Sequence, residues 1–268
     1  MLLCGTSGNQ LLIETNILFL DEQANKYRAL DNWFMTPQGR RVAHAFAGEL
    51  MPVCERFSGR TLLQLGSCGE NLWLPLLNFR HKWLVTPSVA PQKTSLIASL
   101  TMLPVDRDSI DCVLAPLSIE AFAHGKNPMD EIDRVLRPMG YVIFFGINPC
   151  SFWGAALYLK RLNCFGSGVG TLMSSFSVKH MMLQRGYRQC AFTSFYYIPP
   201  VNSEFLIPKL EFFNEMGKMI WPFPAGFYCL IVQKYQHCSP SFLLDMSDEG
   251  LLMQQKSSLQ GISKWMHE

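Results

Sequence analysis

Tyr141 to Ile147 is a clean apolar run, preceded at once by Pro138-Met139-Gly140. The run is far short of the roughly 20 apolar residues a membrane span requires. Its length suits a strand covered on both faces, as in a parallel sheet. Thr61 to Leu65 is a second short apolar run, and it ends in Gly66-Ser67-Cys68-Gly69. A strand that enters a glycine turn and then a helix, expected here over about 70 to 79, opens a βαβ unit.

The same alternation continues along the chain. Strands are expected at about 81 to 85, 100 to 103, 111 to 115 and 140 to 147, and helices at about 90 to 98, 117 to 123 and 127 to 136. Asn127-Pro128 starts the last of these helices, acids fill its early turns, and Pro138-Met139-Gly140 is expected to end it. A helix at about 177 to 185 ends at Gly186, and runs at 188 to 198 and 226 to 235 flank a helix at 203 to 219. That helix turns Leu206, Leu210, Phe213, Met216 and Ile220 to one side. The pattern predicts an α/β fold on an open, mostly parallel sheet.

Before the first strand, Trp33, Val42, Phe46, Leu50, Val53 and Phe57 recur at mostly helical spacing, interrupted near Pro37 and Gly39, which predicts an N-terminal helical cap. Residues 1 to 31 show no clear period and read as a loosely attached leader without signal-peptide features. The main domain is expected over 32 to 235, followed by a polar, Ser-rich tail over 236 to 268.

Composition narrows the function classes. Lys plus Arg number 23 against 21 Asp plus Glu, a net charge of +2, so the chain lacks the basic footprint of a duplex-binding protein. Hydrophobic residues make up 49% and charged residues 16%, which excludes disorder over the whole chain. The nine cysteines form no CxxC pair, and Cys112, Cys190 and Cys229 sit in apolar runs, as reduced core thiols would. This usage suits a cytoplasmic protein. The histidines show no metal-ligand spacing with the cysteines, so no metal is expected.

Three ordered stretches resemble class I S-adenosylmethionine (SAM)-dependent methyltransferases of the type 11 group. Leu62 to Gly69 stands where that group has its glycine loop, and Leu103 to Val113 is similar to the stretch before its fourth strand. Asp130-Glu131-Ile132-Asp133-Arg134-Val135-Leu136-Arg137-Pro138-Met139-Gly140-Tyr141-Val142 closely matches the stretch before its fifth. Trp33 to Gly39 and Gly146 to Gly154 look like a narrower branch, the bacterial YafS-like proteins.

The resemblance implies a Rossmann-like seven-stranded sheet with an antiparallel last strand, and SAM as cofactor. It places cofactor contacts at Gln64, Gly66, Ser67, Cys68, Gly69, Thr86, Ser99, Leu100, Ala115 and Pro116. Gln64, Thr86 and Ser99 stand where the family usually has acids. Two readings therefore remain: an enzyme that methylates an unidentified acceptor, and a catalytically inactive module on the same fold. A nicotinamide oxidoreductase is disfavoured by the lack of G-x-G-x-x-G.

Acceptor-side candidates are His124 as a general base, with Asn148, Ser151 and Trp153 on the loop after the central strand, and Pro116 and Leu117 completing the pocket. The bland alternative for that loop is a capped helix start with a buried Trp, and for His124 a solvated histidine. Phe165 to Gly170 lacks Gly-Lys-Ser/Thr and reads as a linker rather than a phosphate loop.

Overall fold

The computed structural model describes residues 21–88, 95–121, 128–166, 172–201, 209–219 and 224–235. Residues 1–235 form one compact unit. The expected tail, 236–268, is a second unit and lies outside the described residues; His124, in the first unit, lies outside them too.

Seven strands build one sheet: β1 (Ser58–Leu65), β2 (Asn78–Thr86), β3 (Leu96–Ile97), β4 (Ile110–Pro116), β5 (Leu136–Ile147), β6 (Tyr187–Phe195) and β7 (Phe227–Lys234). Their order is β3-β2-β1-β4-β5-β7-β6. β1 through β5 pair in parallel, and β7 runs antiparallel to both β5 and β6. The fold class is the one anticipated. Strand order reverses between β1 and β4, and in open α/β sheets the ligand crevice lies at the carboxyl ends of the strands at this point.

The helices are α1 (described over 21–34), α2 (Pro37–Leu50), α3 (Ser118–Ala121), α4 (Met129–Val135), α5 (Phe152–Tyr158), α6 (Ser175–Gln184) and α7 (Phe212–Met219). Thr36 caps α2 by accepting from Gly39 N at 3.1 Å, and Pro37 occupies the first turn, where no N–H is missed. From α2, Phe46 stacks on Phe145 at 4.2 Å between centroids and meets Phe195 and Phe227 edge-on. This aromatic cluster seats the N-terminal layer on the carboxyl end of the sheet.

Several local expectations change. Residues 21–31 are helical, with Tyr27 and Leu30 buried, so this part of the expected leader is core. No α-helix follows the glycine turn. Pro75 lies inside a single 3₁₀ turn, Leu74–Leu76, and Asn71 adopts a φ of 49°, which together stop helix propagation.

The strand expected at 100–103 is instead the short β3. The backbone at Leu103 and Val105 is occupied by α4: Arg134 donates to Leu103 O at 2.8 Å and Val105 O at 2.9 Å, and Leu103 N donates to Glu131 at 2.9 Å. The Arg134 guanidinium beside Glu131 holds that carboxyl below its usual range. The helix predicted at 90–98 falls largely outside the described residues, but its end, Leu96–Ile97, pairs with β2.

β5 begins at Leu136, so Pro138-Met139-Gly140 lies within the strand rather than closing the helix. A register shift between Ile110 and Cys112 and a φ of 65° at Met139 accommodate it. Asp111 ties this irregularity down by accepting from Arg60 N, Thr61 N and Arg137 Nη1 at 2.9, 2.8 and 2.6 Å. Cys190 is exposed, because β6 is an edge strand with a bulge between Gln189 and Ala191. Among the described residues no helix is long and apolar enough to cross a membrane.

Candidate active site

The turn after β1 has the backbone a close ligand approach requires: Gly66 has a φ of 86° and Gly69 a φ of 60°. The turn is held from beneath by Gln64, which is fully buried. Its amide donates to Gly66 O at 2.9 Å and to Asn71 Oδ1, while its carbonyl accepts from Trp73 Nε1 at 2.9 Å. Gln64 therefore organises the turn and spends both ends of its amide inside the protein.

The upper side of the turn is covered by α1. A Cβ built on Gly66 would lie 2.3 Å from the Tyr27 ring, so the ring rests directly on the glycine backbone. Asp31 accepts from Ser67 Oγ at 2.7 Å and from Gly69 N at 2.8 Å. These are donors of the kind that hold a ligand carboxylate. Farther along the crevice Ser99 reaches Gln23 of α1 at 3.4 Å and Thr101 at 2.9 Å. Thr86 is buried, with Ser88 Oγ at 3.3 Å. Cys68, Leu100, Ala115 and Pro116 are buried around the same crevice.

The backbone of the turn, with its two left-handed glycines, fits an adenosyl cofactor. The space above it does not, because Tyr27 fills it and Asp31 would oppose a ligand carboxylate. The helix N-terminus expected after the turn is also absent, so anion-binding donors there are limited to loop groups such as Gly69 N and Ser67 Oγ.

On the acceptor side, Ser151 caps α5 by accepting from Gly154 N at 3.1 Å, and Asn148 Oδ1 accepts from Cys150 N at 3.2 Å. Trp153 is buried against Trp33, Tyr196 and Phe227 and donates to Ile198 O at 2.8 Å. Leu117, with a φ of 50°, is buried as well. The structure thus places these side chains in a capped helix start and its packing. Trp153→Phe is expected to lower stability by about 1 to 2 kcal/mol, measured by urea unfolding, since Ile198 O loses its donor.

Sequence reasoning missed Glu120. It is fully buried at the start of α3, beside the ends of β4 and β5; Oε1 accepts from Ile147 N at 2.8 Å, while Oε2 has no partner. Burial pushes its carboxyl up to about 7, against the smaller downward pull of backbone N–H groups. Its charge also pushes up the phenols of Tyr27 and Tyr228 and the thiol of Cys164, reinforcing the effect of their burial. Burial likewise raises the thiols of Cys68, Cys112 and Cys229, which removes them as thiolate nucleophiles. The only sequence signal for Glu120 was a lone acid in the otherwise uncharged stretch Val113 to Ala123.

Two cavities flank the N-terminal helices. One of about 910 Å³ is lined by Arg40, Arg41 and His44 of α2 opposite Tyr196, Glu211 and Asn214, with Arg41 paired to Glu211 at 2.7 Å. The other, about 550 Å³, lies between Ala29, Asn32 and Trp33 of α1 and Arg161 to Asn163.

Residues 78–144 match the family pattern described as a methyltransferase domain. A SAM-dependent methyltransferase from Archaeoglobus fulgidus superposes with a TM-score of 0.51 at 14% identity, covering 72% of this chain and 94% of that one. The fold is that of the SAM-dependent methyltransferases. A second such enzyme, from Thermotoga maritima, gives a TM-score of 0.51 at 16% identity over 76% of this chain and 93% of its own. The geranyl diphosphate C-methyltransferase of Streptomyces coelicolor, solved with S-adenosylhomocysteine, gives 0.50 at 15% identity over 73% and 80%. Comparison with curated proteins returns no match.

Proposed function

We propose that this chain is a SAM-dependent methyltransferase whose cofactor crevice is closed by α1 in the conformation described. The observation that carries the reading is the left-handed pair Gly66 and Gly69 at the end of β1, beside the point where strand order reverses. The methyltransferase pattern over residues 78–144 and the fold shared with enzymes of this class support it. When bound, SAM supplies the methyl group itself. The chain supplies the turn, through Gly66, Ser67 and Gly69, and the flanking walls at Thr86, Ser99, Leu100, Ala115 and Pro116.

On the acceptor side we assign Glu120 rather than the loop side chains. Its unpartnered oxygen and its carboxyl near pH 7 suit a group that holds or takes a proton at neutral pH. The narrower YafS-like likeness, carried by residues 33–39 and 146–154, belongs to this reading.

S-adenosylhomocysteine is the probe. Saturable heat on titration into the full chain, with a dissociation constant in the micromolar to low millimolar range, supports the proposal. Absence of heat at millimolar ligand, both for this chain and for a variant with the crevice opened, leaves a methyltransferase fold used as a non-catalytic module.

A further inference from the structure

Helix α1 makes two kinds of contact. At its C-terminal end Trp33 and Phe34 lie in the aromatic cluster, edge-on to Trp153 and to Phe46 and Trp73. Toward its N-terminal side the contacts are polar and imperfect. Gln23 is buried with its Nε2 unpartnered, and its Oε1 receives only the long bond from Ser99. The Tyr27 hydroxyl meets Ser118 O at 3.4 Å. Lys26 is buried, with its ammonium 2.8 Å from a half-exposed Glu22 on the same helix. Segments with such unsatisfied groups open locally before the rest of a fold. The second cavity gives α1 open space on its Ala29–Asn32 side.

We propose that residues 21–31 are a resident stand-in for the ligand: Asp31 holds the Ser67 hydroxyl and Gly69 amide that receive a ligand carboxylate, Tyr27 fills the room over Gly66, and ligand binds by displacing this segment. Trp33 and Phe34 remain as the anchor about which it swings. The inference rests on the proposed cofactor. Its physical content is a competition between two carboxylates for one pair of donors, the internal one winning until an external one with more contacts replaces it. Apparent affinity is then reduced by the fraction of molecules in which the segment is open.

Titration of S-adenosylhomocysteine into the full chain, Tyr27→Ala and Asp31→Asn tests this. Tyr27→Ala should bind about 10-fold or more tighter than the unsubstituted chain, because the closed state is weakened. Asp31→Asn, which keeps its shape but not its charge, should bind roughly 3- to 10-fold tighter. In the unsubstituted chain, saturating ligand should speed amide hydrogen exchange in residues 21–31 and leave α2 unchanged. Equal affinity in all three proteins overturns the displacement and leaves the cofactor reading standing, as does weaker binding by both variants, which would make these side chains ligand contacts. No binding by any of the three overturns the cofactor reading, and the displacement falls with it. Should Tyr27→Ala fail to fold, as judged by circular dichroism, Asp31→Asn and the exchange measurement decide the matter.

Discussion

Glu120→Gln should stabilise the protein by about 2 to 3 kcal/mol at pH 8 and by well under 1 kcal/mol at pH 4.5. Burial raises the Glu120 carboxyl from 4.5 to about 7 in the folded protein. Between those values the native state binds a proton that the unfolded chain has released. Stability is therefore full below about pH 4.5, falls as pH rises toward 7, and stays low above it. Glutamine is neutral throughout, and its carbonyl can still accept from Ile147 N. Its amide has no acceptor at the Oε2 position, which offsets part of the gain. Urea unfolding of both proteins at the two pH values is the measurement; an equal difference at both, or a loss at pH 8, overturns the assignment. A carboxylate kept at a standing loss of stability, beneath α1 and beside the ends of β4 and β5, is what a site tuned for proton handling looks like.

The second large effect concerns Gln64, beneath the glycine turn. Gln64→Glu is expected to destabilise the fold by about 3 to 5 kcal/mol at neutral pH rather than to repair a cofactor contact. The new carboxylate still accepts from Trp73 Nε1. It donates nothing, so Gly66 O loses the Gln64 amide, Asn71 Oδ1 is left with Cys68 N alone, and both face a buried negative charge. Glutamine serves here because its two ends differ, one donating and one accepting. Thermal and urea unfolding check the value, and a change under 1 kcal/mol would mean that the Gln64–Asn71–Trp73 network is not what holds the turn.

Much of the fold was readable because its signals are local and periodic. The apolar run 141–147, the glycine turn at 66–69 and the Asp130 to Val142 stretch specify a strand, a turn and a helix-to-strand junction with little help from distant residues. The errors arose where tertiary partners decide. Pro138-Met139-Gly140 reads as a stop, yet Arg137 anchored on Asp111 keeps it in the sheet. The stretch at 100–103 reads as a strand until Glu131 and Arg134 claim its backbone. Residues 21–31 have no simple period because their buried positions face two different surroundings, an aromatic cluster at one end and a polar crevice at the other.

The candidate site was legible in outline and not in detail. Gly66 and Gly69 were legible as a turn because a left-handed backbone demands glycine. Tyr27 and Asp31 were not, since nothing in a helix 36 and 38 residues upstream of Ser67 and Gly69 announces which turn it will cover. Glu120 carries almost no signal in the sequence, because burial decides a carboxyl's character and a sequence does not state burial directly.

The N-terminal layer has a consequence for synthesis. Phe46 of α2 rests on Phe145, Phe195 and Phe227, which emerge from the ribosome after it. The cover is thus made before any of the surface it covers, and its apolar face must wait for nearly the whole domain to be translated. Chains released before Phe227 would carry that face bare, so incomplete products should be sticky, chaperone-dependent species rather than smaller folded domains.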